Sequence, residues 1–117
     1  MSDTDHETYA PFLLREAEGE ASLILGQDAF GAKEHIFAER AGEGWSGNGY
    51  DWNSVIQVLV AEQLDETVAD KLDYDPEAGT FAAYGPRTEL EQLAAVAAAT
   101  YHDDAKLHDA LSRAELD

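Results

Sequence analysis

With 117 residues, no cysteine and 25 acidic against 7 basic side chains, the chain can close one hydrophobic core but hardly two, and it can hold neither a disulfide nor a thiolate metal site. The formal net charge of -18 repels phosphate backbones and anionic lipid and gains nothing from counterion release, so nucleic acid and membranes are disfavoured and a cationic protein is the favoured partner. General solubility or an acidic surface adapted to high salt would produce the same charge, and composition alone leaves those readings open.

Met1 to His6 carries no basic residue followed by an apolar run, and no segment is long enough to span a bilayer, which predicts a cytoplasmic chain. Residues 1–10 are polar and acidic and are expected to form a flexible tail, with a single domain over 11–117. Phe12 to Ala17 and Ala21 to Leu25 read as a β-hairpin turning at Glu18-Gly19-Glu20. Phe12 and Leu14 alternate with Leu13 and Arg15, and Leu23 and Leu25 with Ser22 and Ile24, which gives one apolar face and one mixed face.

Gln27 to Gly31 reads as a connector, and Ala32 to Ala41 as a short helix carrying Ile36, Phe37 and Arg40, stopped by Gly42. Gly42 to Tyr50 is a loop by composition, with four glycines and two aromatics, Trp45 and Tyr50. Trp52, Val55, Ile56, Leu59 and Val60 then make a continuous helical stripe, for which Asp51 is the expected N-cap and Leu64 the approximate end. Asp65 to Lys71 can add a helical turn.

Leu72 to Asp75 and Thr80 to Tyr84 read as a second hairpin around Asp75-Pro76-Glu77-Ala78-Gly79, with Leu72, Tyr74, Phe81 and Ala83 facing inward. Thr88 with Glu91 has the pattern of a capping box opening a helix through Leu90, Leu93, Ala94, Ala97 and Tyr101. His102-Asp103-Asp104 interrupts it, Asp103 can cap again, and Leu107, Ala110, Leu111 and Ala114 mark a last helix. The fold class is therefore α+β, a small antiparallel sheet from two β-hairpins packed against about four helices.

No catalytic constellation stands out. His6, His35, His102 and His108 lack ligand spacing, carboxylate pairs are too abundant to be informative, and there is neither a calcium loop nor a phosphate-cradling glycine loop. No catalytic residue, metal or cofactor is expected. The glycine-rich loop is the candidate interface, because flexible glycine beside Trp and Tyr can build a binding hot spot. Its partner-binding candidates are Glu43, Trp45, Asn48, Tyr50 and Asp51, while Gly47, Gly49 and Trp52 are assigned to structure. For Trp45 the core and interface readings stay level.

Gly47-Asn48-Gly49-Tyr50-Asp51-Trp52 leading into an apolar helix, Asp75-Pro76-Glu77-Ala78-Gly79 before a short strand, and the terminal Leu111-Ser112-Arg113-Ala114-Glu115-Leu116-Asp117 form a familiar order. Together they resemble the immunity protein 51 family of bacterial polymorphic toxin systems, from about Phe12 to the C-terminus. The resemblance implies an inhibitor of a cognate toxin encoded nearby, and not an enzyme. An acidic chain fits a cationic toxin, such as a nuclease whose cleft must attract phosphate. The competing readings are an acidic regulator or nucleic-acid mimic, and a small hydrolase using a carboxylate and a histidine.

Overall fold

Period-two alternation of apolar residues builds the sheet and fixes the face it buries. The computed structural model describes residues 3–5, 7–17 and 20–114. In chain order its elements are β1 (Asp3–Asp5), β2 (Leu13–Ala17), β3 (Glu20–Gly26), α1 (Gln27–Gly31), α2 (Glu34–Ala38), a 3-10 turn (Ala41–Glu43), α3 (Gly49–Gln63), α4 (Glu66–Ala69), β4 (Asp73–Tyr74), β5 (Thr80–Gly85), α5 (Arg87–Tyr101) and α6 (Asp104–Arg113). The strands form one antiparallel sheet in the order β1-β2-β3-β5-β4, so the two hairpins join through the β3–β5 pair. This is the expected α+β class.

Register carries the core across the sheet: Leu14 faces Leu23, Leu23 faces Ala83, and Leu25 faces Phe81. All five side chains are fully buried, and each large one contributes roughly 1.5–3 kcal/mol relative to exposure. The helices cover this inner side. Helix α5 lies across β2, β3 and β5, α3 packs on β5, and α6 closes over α3 and α5. The opposite side of the sheet carries half-buried Leu13 and Ile24 and exposed Arg15 and Tyr84. At the far end of α3, Arg113 grips Glu62 with two hydrogen bonds of 2.6 Å, and this pairing holds the Glu62 carboxyl below its ordinary range.

The structure departs from the sequence expectations in several places. Residues 3–5, expected in a tail, pair with β2, Asp3 opposite Glu16 and Thr4 opposite Arg15. Gln27 to Gly31 is helical, and the helix expected over Ala32 to Ala41 is the shorter α2 followed by the 3-10 turn. Glycine at position 31 disfavours a continuous helix by about 1 kcal/mol relative to alanine, and the chain kinks at Lys33, whose φ is -115°. Thr88 forms no capping box, because Pro86 is the N-cap and Thr88 already lies inside the first turn. The turn expected at Glu18-Gly19 lies outside the described residues, as do His6 and residues 115–117.

Candidate partner-binding site

Helix α3 starts at Gly49, earlier than its apolar stripe suggests. Its cap is Asn48, whose Oδ1 accepts from the Asp51 N–H at 2.9 Å, and not Asp51 as expected. Freed from capping, the Asp51 carboxylate folds back over the loop. One oxygen, Oδ2, accepts from the Ser46 N–H at 2.6 Å, the Gly47 N–H at 2.7 Å and the Ser46 hydroxyl at 3.3 Å. Gly47 has a φ of +83°, a left-handed conformation that a side chain resists, and the loop relies on it to present successive amides to one anion. Asp51 is 7% exposed and serves as the pin of the loop, which corrects its assignment as a surface contact.

Gly49 fixes the loop to the second hairpin. Its N–H donates to the Ala78 carbonyl at 3.1 Å, and a Cβ there would overlap the Glu77 carbonyl oxygen and stand 2.5 Å from that of Thr80. The turn it touches is closed by hydrogen bonds between Glu77 and Thr80 in both directions, at 2.7 and 3.2 Å. The start of α3 and the β4–β5 turn are thus in backbone contact, with no room for a side chain between them.

The two tryptophans both point inward. Trp52 packs against Phe37, Tyr101 and Phe30 at ring-centroid distances of 5.4, 5.6 and 6.5 Å. Trp45 is 5% exposed, 6.3 Å from the Phe37 ring, and is a core residue; the expectation of an aromatic anchor on the surface fails for it because the left-handed Gly47 packs the loop directly on Phe37. Tyr101 also secures α1, donating its hydroxyl to the Ala29 carbonyl at 2.7 Å. Burial holds that phenol above its ordinary range, with Lys33 acting against the shift.

What the loop and the first turn of α3 do present is Tyr50, 44% exposed, with exposed Glu43 and Ser46 and half-buried Asn48. Glu43 pairs with Arg40 at 3.4 Å. Asp75 and Glu77, on the turn that Gly49 touches, are exposed as well. Beside this face opens a cleft of about 250 Å³, walled by Gln27, Phe30 and Glu34 from α1 and α2, by Ser46 and Asn48 from the loop and by Ala78 from the turn. Sequence reasoning did not find Gln27, Phe30, Glu34 or Ala78, since they come together only in the folded chain, Ala78 through the contact of its carbonyl with Gly49.

Each of the three described histidines sits beside a carboxylate or a backbone carbonyl. His35 lies 3.8 Å from Asp104, His108 lies 3.1 Å from Glu39, and His102 Nε2 is 2.6 Å from the Ala10 carbonyl. Among the described residues no three histidine or carboxylate side chains are grouped to hold a metal ion, and no helix is long and apolar enough to cross a membrane.

A family model described as immunity protein 51 matches residues 12–116, which include the loop, the cleft and the β4–β5 turn. The chain belongs to the immunity protein 51 family. Comparison with curated proteins and with solved structures returns no match. Membership gives this immunity protein a general toxin-neutralising role, exercised by pairing with a toxin and not by catalysis.

Proposed function

We propose that this immunity protein acts in the bacterial cytoplasm and docks the face formed by the start of α3 and the β4–β5 turn onto a cationic surface of its cognate toxin. The toxin is a basic nuclease, and the docked carboxylates occupy the place of substrate phosphates. The observation that carries the reading is Tyr50, an exposed ring in the first turn of α3, between Gly49, which is locked against the β4–β5 turn, and Asp51, which pins the loop, on a face whose loop and turn also expose Glu43, Asp75 and Glu77. Rigid aromatics with little entropy to lose make binding anchors, and the charge of -18 speeds encounter with a cation. Asn48 contributes from the rim. Trp45 and Asp51 act from within by holding the loop in shape.

Co-expression tests the reading first: the chain should rescue a host killed by the toxin domain encoded beside it. Rate measurements then separate steering from anchoring. Replacing Glu43, Asp75 and Glu77 together by their amides should lower the association rate and flatten its dependence on salt, whereas Tyr50→Ala should mainly raise the dissociation rate, by about 30-fold for a hot spot of about 2 kcal/mol. Absence of rescue sinks the immunity role for that toxin. Unchanged association at low salt sinks the steering.

A further inference from the structure

The cleft between α1, the loop before α3 and the β4–β5 turn has a shape and lining that neither the fold nor the docking face explains. Its volume of about 250 Å³ falls below the roughly 300–1,000 Å³ of sites that take drug-sized molecules and suits one long side chain. Phe30 gives it an apolar wall that does not yield, because that ring is nearly buried and stacked on Trp52 at an interplanar angle of 16°. Around the wall stand polar groups that can accept hydrogen bonds, the Gln27 amide, the Ser46 hydroxyl and the Asn48 amide. Gln27 spans towards the β4–β5 turn, its Oε1 lying 3.7 Å from where a Cβ on Gly79 would stand. Among the described residues Glu34 is the one charged residue in the lining. Lys33, next to it in the chain, is turned away, with Nζ 2.7 Å from Asp104 and 5.1 Å from the Tyr101 ring centre.

We infer that this cleft is a socket for a single arginine side chain of the toxin, with the methylenes along Phe30 and the guanidinium facing Glu34, Gln27 and Ser46. The inference rests on the toxin-binding reading and adds to it a defined subsite and its ligand chemistry. A guanidinium fits because its planar fork of five donors can serve several acceptors at once, while its stem and weakly hydrated faces tolerate an aromatic wall. The negative field of the chain draws the same group in. Asp51, whose loop partners Ser46 and Gly47 also line the cleft, is itself buried outside the lining with Oδ2 taken by their amides, so among the described lining residues Glu34 supplies the charge.

Two measurements test the socket. In the first, Nα-acetyl-L-arginine methylamide is titrated into the isotope-labelled chain and backbone amide shifts are followed. Saturable shifts centred on Gly31, Gly47, Asn48 and Ala78 are expected. They should weaken at least tenfold in Glu34→Gln and vanish in Gly31→Leu, which adds a side chain at a cleft position where a Cβ meets nothing within 4 Å. The neutral citrulline analogue should cause none. Shifts spread over all exposed carboxylates, or unchanged in Glu34→Gln, overturn the proposal.

In the second, toxin affinity should fall at least tenfold for Glu34→Gln and less than twofold for Glu66→Gln. The latter removes the same charge from α4, beyond the far end of the 15-residue α3, which is about 22 Å long. If both Glu34→Gln and Gly31→Leu bind and neutralise the toxin like the wild type, the socket is wrong and the toxin reading stands. If the wild type fails to neutralise the toxin, that reading falls and the arginine titration alone decides whether the socket exists.

Discussion

Gly49→Ala is expected to destabilise the protein by about 3 kcal/mol or more, at or above the upper end of what overpacking a core with one methyl group produces. The reason is the nature of the obstacle. A Cβ at position 49 meets the carbonyls of Glu77 and Thr80, which belong to backbone already hydrogen-bonded across the turn and cannot rotate aside like a side chain. Relief requires α3 and the β4–β5 turn to separate, and that also breaks the Gly49–Ala78 hydrogen bond. Gly31→Ala is the control, since its Cβ meets nothing within 4 Å and alanine is the better helix former. Urea denaturation of both variants measures the contrast, and a loss below about 1 kcal/mol for Gly49→Ala would show that the contact is looser than described.

Asp51→Ala is expected to cost about 3 kcal/mol and to weaken toxin binding, although Asp51 has no place on the docking face. Hydrogen bonds to a charged acceptor contribute about 1.5–3 kcal/mol each when one partner is removed, and Asp51 accepts from two backbone amides at once. The Gly47 amide is buried and is left without its acceptor, whereas Ser46 is exposed and water can replace its bond. The missing anion in the first turn of α3 removes a further ~0.3–1 kcal/mol of favourable interaction with the helix dipole. Asp51→Asn should fall between wild type and alanine, because the amide oxygen still accepts but carries no charge. The check pairs denaturation with amide exchange at Gly47. A variant that folds as stably as the wild type, with Gly47 still protected, would remove Asp51 from its role as the pin.

These two residues also mark where the sequence stopped being legible. The α3 stripe was readable because a period near 3.6 is a local property, and Trp52, Val55, Ile56, Leu59 and Val60 are all buried. The hairpins were readable for the same reason at period two. The start of α3 was not, since Asn48 and Asp51 are both good caps three residues apart, and the choice falls to the contact of Gly49 with Ala78, which no local pattern encodes. Trp45 and Tyr50 posed a similar ambiguity. Two aromatics in one glycine-rich stretch look alike in sequence, and only the folded chain separates them: Trp45 turns in against Phe37, while Tyr50, in the first turn of α3, stays out. The cleft draws on α1, α2, the loop and the β4–β5 turn, so its lining has no signature along the chain.

The toxin is proposed to meet this protein at the start of α3 and the β4–β5 turn. Backbone amide exchange, followed with the chain alone and then saturated with the neighbouring toxin domain, addresses this placement most directly. Added protection is expected over residues 42–50 and 75–80, with the outward side of β2 and β3 unaffected. Protection gathered instead on that outward side, around Arg15, Ser22 and Tyr84, with residues 42–50 unchanged, would contradict it.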